Sequence, residues 1–306
     1  MALPESKYVW KNGELILWEQ ATTHILTHAL HYGTAVFEGI RCYKTDQGSA
    51  VFRLVEHMER MERSASYIMM DLPYSAAQLV DATVELIKAN ELKSCYVRPI
   101  AYRGYGSMGV NPRPAPIDVA IAVWPWDAYL GEEALEHGMH AGISSWRQRS
   151  ANSTPGAVKS SASYLNSGLA HMEAIDHGYG EAILLSESGM IAEGSGENIF
   201  VVKNGALKTP PVSDGILEGI TRDSVIQLAR HFGLTVSEAS LVRTDLYGAD
   251  EVFFTGTAAE VTPIARIDNR TIGAGKRGPV TEKLQTAFFD VVAGRISEFE
   301  SWLYKV

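Results

Sequence analysis

Lys159 stands at the end of a polar run, Asn152-Ser153-Thr154-Pro155-Gly156-Ala157-Val158, just ahead of a segment with a helical pattern. A lone lysine is ordinarily a solvated surface residue, but the residues that follow give this one a chemical setting. A lysine amine can form a Schiff base with a carbonyl and carry protons once it is partly neutral. Tyr164 supplies a phenol near the start of the next helix. Glu193-Gly194-Ser195-Gly196-Glu197-Asn198-Ile199-Phe200 sets a carboxylate beside a Gly-rich kink that runs into an apolar strand. Leu217-Glu218-Gly219-Ile220-Thr221-Arg222 is a glycine-led turn opening an amphipathic helix with the apolar stripe Val225, Leu228, Ala229 and Phe232. The first N–H groups of such a helix, at Ile220 and Thr221, make an anion site.

Three other signals fail on context. Gly104-Tyr105-Gly106-Ser107-Met108-Gly109 matches the dinucleotide fingerprint G-x-G-x-x-G, but Pro112, Pro114 and Pro116 follow where a helix must open to hold a pyrophosphate. His24, His28 and His31 have helical spacing, yet their segment offers no carboxylate or cysteine as a fourth metal ligand, so no metal is expected. Gly194-Ser195-Gly196 lacks the third glycine of a phosphate loop and sits between two strands.

The run from Glu193 to Arg222 resembles the signature of the class IV aminotransferases in residue type and spacing. His31-Tyr32-Gly33-Thr34-Ala35-Val36-Phe37-Glu38-Gly39-Ile40-Arg41 and Tyr96-Val97-Arg98-Pro99 are similar to the bacterial branched-chain branch of that family. Ser161-Ala162 and Glu218 depart from it, standing where many relatives carry glycines and proline; neither departure removes a functional group. The resemblance implies an α+β fold of two domains, fold type IV, like the D-amino-acid aminotransferases, with pyridoxal 5′-phosphate in the cleft between them.

It implies Lys159 as the cofactor-bearing, proton-shuttling amine. Glu193 is then the carboxylate that keeps the pyridine nitrogen protonated so that the ring can act as electron sink. Tyr164 pairs with the phenolic oxygen, and Leu217 packs on the ring face. Arg60, the N–H groups of Ile220 and Thr221, and Thr257 hold the phosphate. Without the resemblance, Arg60 in Glu59-Arg60-Met61-Glu62-Arg63 would read as a helix-surface ion pair. For the substrate, the resemblance implies an apolar wall of Tyr32, Phe37, Trp126 and Tyr129, with Arg98 for a distal carboxylate. Tyr96 with the backbone at Thr257 and Ala258 takes the α-carboxylate. The reaction implied is reversible amino transfer from L-leucine, L-isoleucine or L-valine to 2-oxoglutarate. The same fold also serves D-amino-acid aminotransferases and aminodeoxychorismate lyases. A non-catalytic binding module would have no need of both Lys159 and Glu193. In relatives the loop here reading Ser107-Met108-Gly109-Val110 reaches a second subunit, which implies a homodimer at least and, by likeness to bacterial members, a homohexamer.

Alternating strand and helix patterns must position these groups. Tyr8–Trp10 and Glu14–Leu17 flank Asn12-Gly13, a hairpin signal. Gly39–Tyr43 and Ala50–Phe52 form a second hairpin. Leu54 to Tyr67 is helical, as is Ser75 to Asn90, opened by a Ser75/Gln78 capping box. Ser94–Arg103 and Ile117–Trp124 are strands around a Gly- and Pro-rich loop. The pattern breaks at Pro125-Trp126-Asp127-Ala128-Tyr129-Leu130-Gly131, which places a small domain over 1–124, a connecting loop over 125–136, and a large domain carrying Lys159 over 137–306. In the latter, Met139–Ser144, Glu181–Ser186, Asn198–Lys203 and Glu251–Thr255 read as strands, Ser163–His177 and Thr221–Phe232 as helices.

The whole sequence of 306 residues is 46% hydrophobic with a net charge of −9, so a sizeable core is available and a nucleic-acid or anionic-membrane partner is disfavoured. Two cysteines, Cys42 and Cys95, form no CxxC pair and fit a reducing compartment. No basic patch precedes an apolar run at the start, and no stretch of ~18 apolar residues occurs. A cytoplasmic protein acting on small molecules is expected.

Overall fold

The computed structural model describes residues 4–126, 131–150 and 152–306. It divides into two compact units. The first comprises Met1–Asp127, Val158–Ala162 and Val291–Val306; the second comprises Ala128–Ala157 and Ser163–Asp290. This corrects the contiguous division expected from the pattern break. Lys159 belongs with the first unit, and the segment expected as connecting loop contains a helix, Gly131–His137.

The first unit is built on an antiparallel sheet. Its strands are β1 (Tyr8–Lys11), β2 (Glu14–Leu17), β3 (Ala35–Phe37), β4 (Ile40–Thr45), β5 (Gly48–Phe52), β6 (Cys95–Arg103) and β7 (Ile117–Trp124). Helix α1 (His28–Tyr32) precedes β3, and α2 (Leu54–Tyr67) and α3 (Ala76–Ala89) cover one face. The sheet runs β5-β4-β6-β7-β1-β2, with β3 also on β6 and Leu303–Lys305 closing the β5 edge. Leu54, Met58, Met61 and Ala65 repeat at helical spacing along α2 and are all 0–1% exposed. Burying each such Leu or Met side chain stabilises by about 2 kcal/mol. The capping box of α3 is formed, Ser75 Oγ accepting from Gln78 N at 3.3 Å and Ser75 N donating to Gln78 Oε1 at 2.9 Å.

The Lys159 segment is stitched into this unit by an isolated antiparallel bridge to β3. Phe37 N donates to Lys159 O at 3.0 Å, Val36 pairs with Ser160, and Val158 lies in the core under the helices. Sequence pattern does not show this pairing, because its partner strand lies far upstream.

The second unit opens with α4 (Gly131–His137) and β8 (Met139–Arg147), followed by α5 (Tyr164–Asp176), β9 (Glu181–Leu185), β10 (Ile191–Gly194), β11 (Asn198–Lys203) and β12 (Ala206–Thr209). Then come α6 (Ile220–His231), β13 (Val236–Glu238), α7 (Arg243–Tyr247), β14 (Glu251–Gly256), β15 (Glu260–Ile267), β16 (Arg270–Thr271) and α8 (Pro279–Val292). The sheet is mixed: β8 is parallel to both β9 and β15, and β12 to β13. Strands β9, β11 and β14 are almost wholly buried apolar runs, as strands covered on both faces are. The sequence gives little warning of α8. Its first turn is capped from a distance by Glu251, which accepts from Val280 N at 3.0 Å and Thr281 N at 2.7 Å.

Candidate active site

In the first unit, the substrate-type residues fall on one face because the strand period is two. Tyr96 and Arg98 alternate along β6, and the register sets Tyr96 opposite Trp124. The rings of Tyr96 and Trp124 are 5.1 Å apart, those of Tyr96 and Trp126 5.1 Å, and those of Trp124 and Trp126 5.8 Å. The Arg98 guanidinium lies 4.9 Å from the Phe37 ring and 5.3 Å from that of Tyr96. Its Nε is buried and makes no hydrogen bond among the described residues. A cation held against aromatic faces with an unsatisfied donor is poised to accept an anion. Trp124 completes this cage but reads in the sequence as one more residue of a strand.

Phe37 also faces Lys159, whose Nζ is 5.1 Å from the same ring. Lys159 is half-buried, and its backbone N donates to Ser64 Oγ at 3.3 Å. Gly39 is required by close approach: a Cβ there would stand 2.2 Å from the Tyr96 hydroxyl. Arg60 is buried on α2 and donates to Glu38 through Nε and Nη2, each at 2.7 Å. The helix-surface ion pair is thus not its arrangement. Tyr32 stands on α1, 42% exposed, its ring against His28 and His31 rather than against the cage. Tyr129 lies outside the described residues.

The three histidines that share helical spacing are each engaged locally. His24 Nδ1 accepts from Leu26 N, and His31 Nε2 pairs with Ile25 O. His28 is fully buried, its Nδ1 2.8 Å from Thr34 Oγ1 and its Nε2 2.7 Å from Gly109 O. With Arg103, which donates to Ala115 O at 3.1 Å, it pins the loop between β6 and β7. No helix occurs in that loop.

In the second unit, Glu193 near the end of β10 accepts hydrogen bonds from Gln148 Nε2, from Asn198 Nδ2 at 3.1 Å and from Leu217 N at 3.0 Å. Asn198 Nδ2 also reaches Leu217 O at 2.9 Å, so Leu217 is fixed by both ends of its backbone. Gln148, the first residue after β8, carries no signal in the sequence, since an amide in a loop has none of its own. Beside it, burial pushes the Arg149 guanidinium below its ordinary pKa, while the Glu193 carboxylate and the Tyr164 phenol pull it back up. Arg149 Nη1 donates to Ser163 O at the start of α5, where Tyr164 stands.

Helix α6 begins at Ile220 with Gly219 as its N-cap and no side-chain cap, and Ile220 and Thr221 are both buried. Gly219 has no room for a side chain: a Cβ would stand 1.9 Å from Asn198 Oδ1. Thr257 and Ala258 follow β14, whose register Asn198↔Thr255 brings this turn alongside Gly196 and Glu197. Arg222, invoked only as part of the signature, is buried and holds α6 to β12 through Thr209 Oγ1 and Pro210 O.

These donors and acceptors fit a phosphorylated pyridine cofactor. An uncapped, buried helix start suits a phosphate. A carboxylate gripped by three donors suits a protonated ring nitrogen. A half-buried lysine against an aromatic ring suits amine chemistry.

The amino-transferase class IV family model matches residues 35–267, and the chain belongs to that family. The branched-chain-amino-acid aminotransferase of Salmonella typhimurium is 47% identical over 304 residues, covering 99% of this chain and 98% of that one. The crystal structure of the Escherichia coli branched-chain amino acid aminotransferase superposes with a TM-score of 0.96 at 47% identity, covering 98% and 99% of the two chains. A branched-chain amino acid aminotransferase from T.th., complexed with N-(5′-phosphopyridoxyl)-L-glutamate, gives 0.95 at 46% identity, covering 99% of each chain. The mixed α/β architecture with two sheets is that of fold type IV.

Proposed function

We propose that this aminotransferase carries pyridoxal 5′-phosphate on Lys159 and moves the amino group reversibly between L-leucine, L-isoleucine or L-valine and 2-oxoglutarate. The observation that carries the reading is the Phe37 ring, with the Lys159 amine on it at 5.1 Å and the Arg98 guanidinium at 4.9 Å. An apolar wall with an amine and a caged cation against it serves both substrates: an aliphatic side chain packs on the rings, and the distal carboxylate of glutamate pairs with Arg98. The names of the relatives and the phosphopyridoxyl-glutamate bound in one of them support the same pair.

The cofactor, when bound, supplies the aldehyde carbon and an electron-withdrawing ring. Lys159 Nζ would take the proton from the substrate's Cα and deliver it to the cofactor's aldehyde carbon on the other side of the amino nitrogen, the role of a positioned general base and acid. Glu193 accepts the hydrogen of the ring nitrogen and keeps it protonated, while Gln148, Asn198 and Leu217 N hold the carboxylate in place. Tyr164 donates to the phenolic oxygen, and Leu217 covers the ring. Arg60, Thr257 and the N–H groups of Ile220 and Thr221 bind the phosphate. Tyr96 and the backbone at Thr257 and Ala258 orient the α-carboxylate. Trp126, its ring on those of Tyr96 and Trp124, extends the apolar wall, and the family resemblance assigns Tyr129 to it as well. A cytoplasmic homo-oligomer, a dimer at least and a hexamer by likeness to bacterial relatives, belongs to the same proposal.

The test is the visible absorption spectrum of the holoenzyme before and after adding L-valine. L-Valine is expected to bleach the cofactor band with release of its 2-oxo acid, and 2-oxoglutarate to restore it. A band answering only to D-alanine would assign the chain to the D-amino-acid branch. A protein that acquires no band from added cofactor would refute the reading.

A further inference from the structure

Glu38 sits between Phe37 and Gly39, is fully buried, and has no task in the reaction described above. Burying a carboxylate is costly unless cations and hydrogen bonds compensate it. Here they do. Arg60 donates Nε to Oε1 and Nη2 to Oε2, both at 2.7 Å, and His57 Nδ1 lies 2.7 Å from Oε2. Both partners come from one face of α2, three residues apart. The Glu38 backbone is fixed as well, its N–H bonded to Pro99 O at 2.9 Å, next to the Phe37 N–H that holds Lys159 O.

Burial alone would raise the Glu38 carboxyl, but the Arg60 charge and then His57 outweigh it and hold the group well below the usual carboxylate range. An ionised carboxylate only accepts hydrogen bonds, so the hydrogen between the two belongs to His57 Nδ1. Burial in turn lowers the His57 pKa, so the ring is neutral with Nε2 unprotonated. The cluster is therefore one anion, one cation and one neutral donor of fixed tautomer. Bidentate contact fixes the plane and the roll of a guanidinium, which a single hydrogen bond does not. Without it, a long side chain must be ordered each time a ligand binds.

We propose that Glu38, backed by His57, is a positioning residue that holds the Arg60 guanidinium in the orientation that receives the cofactor's phosphate. This rests on the reading of Arg60 as a phosphate ligand. The carboxylate touches neither substrate nor cofactor and acts through Arg60 alone. Its effect is therefore confined to ligands that carry the phosphate.

The experiment compares two probes on cofactor-free protein, pyridoxal 5′-phosphate and pyridoxal, which has the same ring and aldehyde but no phosphate. The ratio of their dissociation constants, read from absorbance titrations, measures what the phosphate contributes. Glu38→Gln is expected to shrink this ratio by about tenfold or more, as loss of an outer partner behind a ligand residue does. Pyridoxal binding should stay within about twofold of the parent, because its contacts do not involve Arg60. Arg60→Ala should shrink the ratio at least as far, and adding Glu38→Gln to it should change nothing more. Equal weakening of both probes by Glu38→Gln would make Glu38 merely structural and overturn the proposal; so would an unchanged ratio. Should Glu38→Gln not fold, His57→Leu decides: a ratio reduced severalfold, restored by His57→Asn with its donor in the Nδ1 position, supports the proposal, and an unchanged ratio overturns it. A parent protein that binds both probes equally would instead remove the phosphate role of Arg60, and the inference with it.

Discussion

Gly219→Ala is a one-methyl change whose consequence can be worked through. The backbone at Gly219 has φ −69° and ψ 131°, which alanine adopts freely, so no conformational strain is involved. The obstacle is Asn198 Oδ1, 1.9 Å from where the methyl would stand. To reach ordinary van der Waals separation the amide must retreat by roughly 1.5 Å. That movement breaks Asn198 Nδ2 to Glu193 Oε2 at 3.1 Å and Asn198 Nδ2 to Leu217 O at 2.9 Å. Asn198 is buried, so water does not replace these partners. One neutral and one charge-assisted bond lost in this way cost about 2–4 kcal/mol together. The variant is expected to unfold at correspondingly lower urea concentration. If about 1.4 kcal/mol of the loss falls on the orientation of Glu193, turnover drops roughly tenfold as well. Urea melts and initial rates with L-valine check both. A variant as stable and as active as the parent would show that Asn198 is not the strut described here. Asn198→Ala should reproduce the turnover loss, and Gly219→Ala should add little to it.

Lys159→Ala is expected to lower turnover by a factor of about 10² or more, the minimum for removing a positioned proton carrier; initial rates with L-valine measure it. His57, bonded to Glu38 and near the charges of Arg60 and Lys159, has its pKa lowered by burial, so the folded chain binds its proton less readily than the unfolded one. Stability contributed by this difference is present above the ordinary histidine pKa of 6.5 and is lost as pH falls below it, with Glu38 extending the loss below the carboxylate range. Urea midpoints should therefore decline from about pH 6.5 downward, and His57→Asn should flatten that decline near pH 6. His28→Ala removes both bonds that tie α1 to Thr34 and Gly109. Amide exchange across residues 104–111 should accelerate by at least tenfold, while β6 and β7 stay protected; unchanged exchange would deny His28 the role of a pin.

The sequence shows the elements whose cause is local. The Asn12-Gly13 turn, the Ser75 cap, the apolar stripe of α2 and the glycine-led start of α6 each lie within a few residues, and all appear in the structure close to where the pattern sets them. What pattern cannot show is long-range pairing. The Lys159 segment bonds to β3, and α8 is capped by Glu251, so neither the division of the chain nor α8 is visible beforehand. In the candidate site, the family resemblance points to Lys159, Phe37, Arg98 and Glu193, and each stands among groups suited to its proposed role. Trp124 and Gln148 carry no such signal, since a tryptophan ending a strand and a glutamine in a loop acquire meaning only from what they touch. Glu38 is one letter of a motif in the sequence, and its work is visible only with Arg60 and His57 around it.

The strand Leu303–Lys305 pairs with β5, Phe52 opposite Leu303 and Ala50 opposite Lys305. An uncovered sheet edge is a template for pairing with other chains. During synthesis, β5 emerges long before its cover, and until residues 303–305 arrive the nascent first sheet carries an open, hydrophobic rim containing Val51 and Phe52. Such non-local closure is slow because loop entropy must be spent before the contact forms. The protection of that edge is thus set not by β5 itself but by when residues 303–305 reach it.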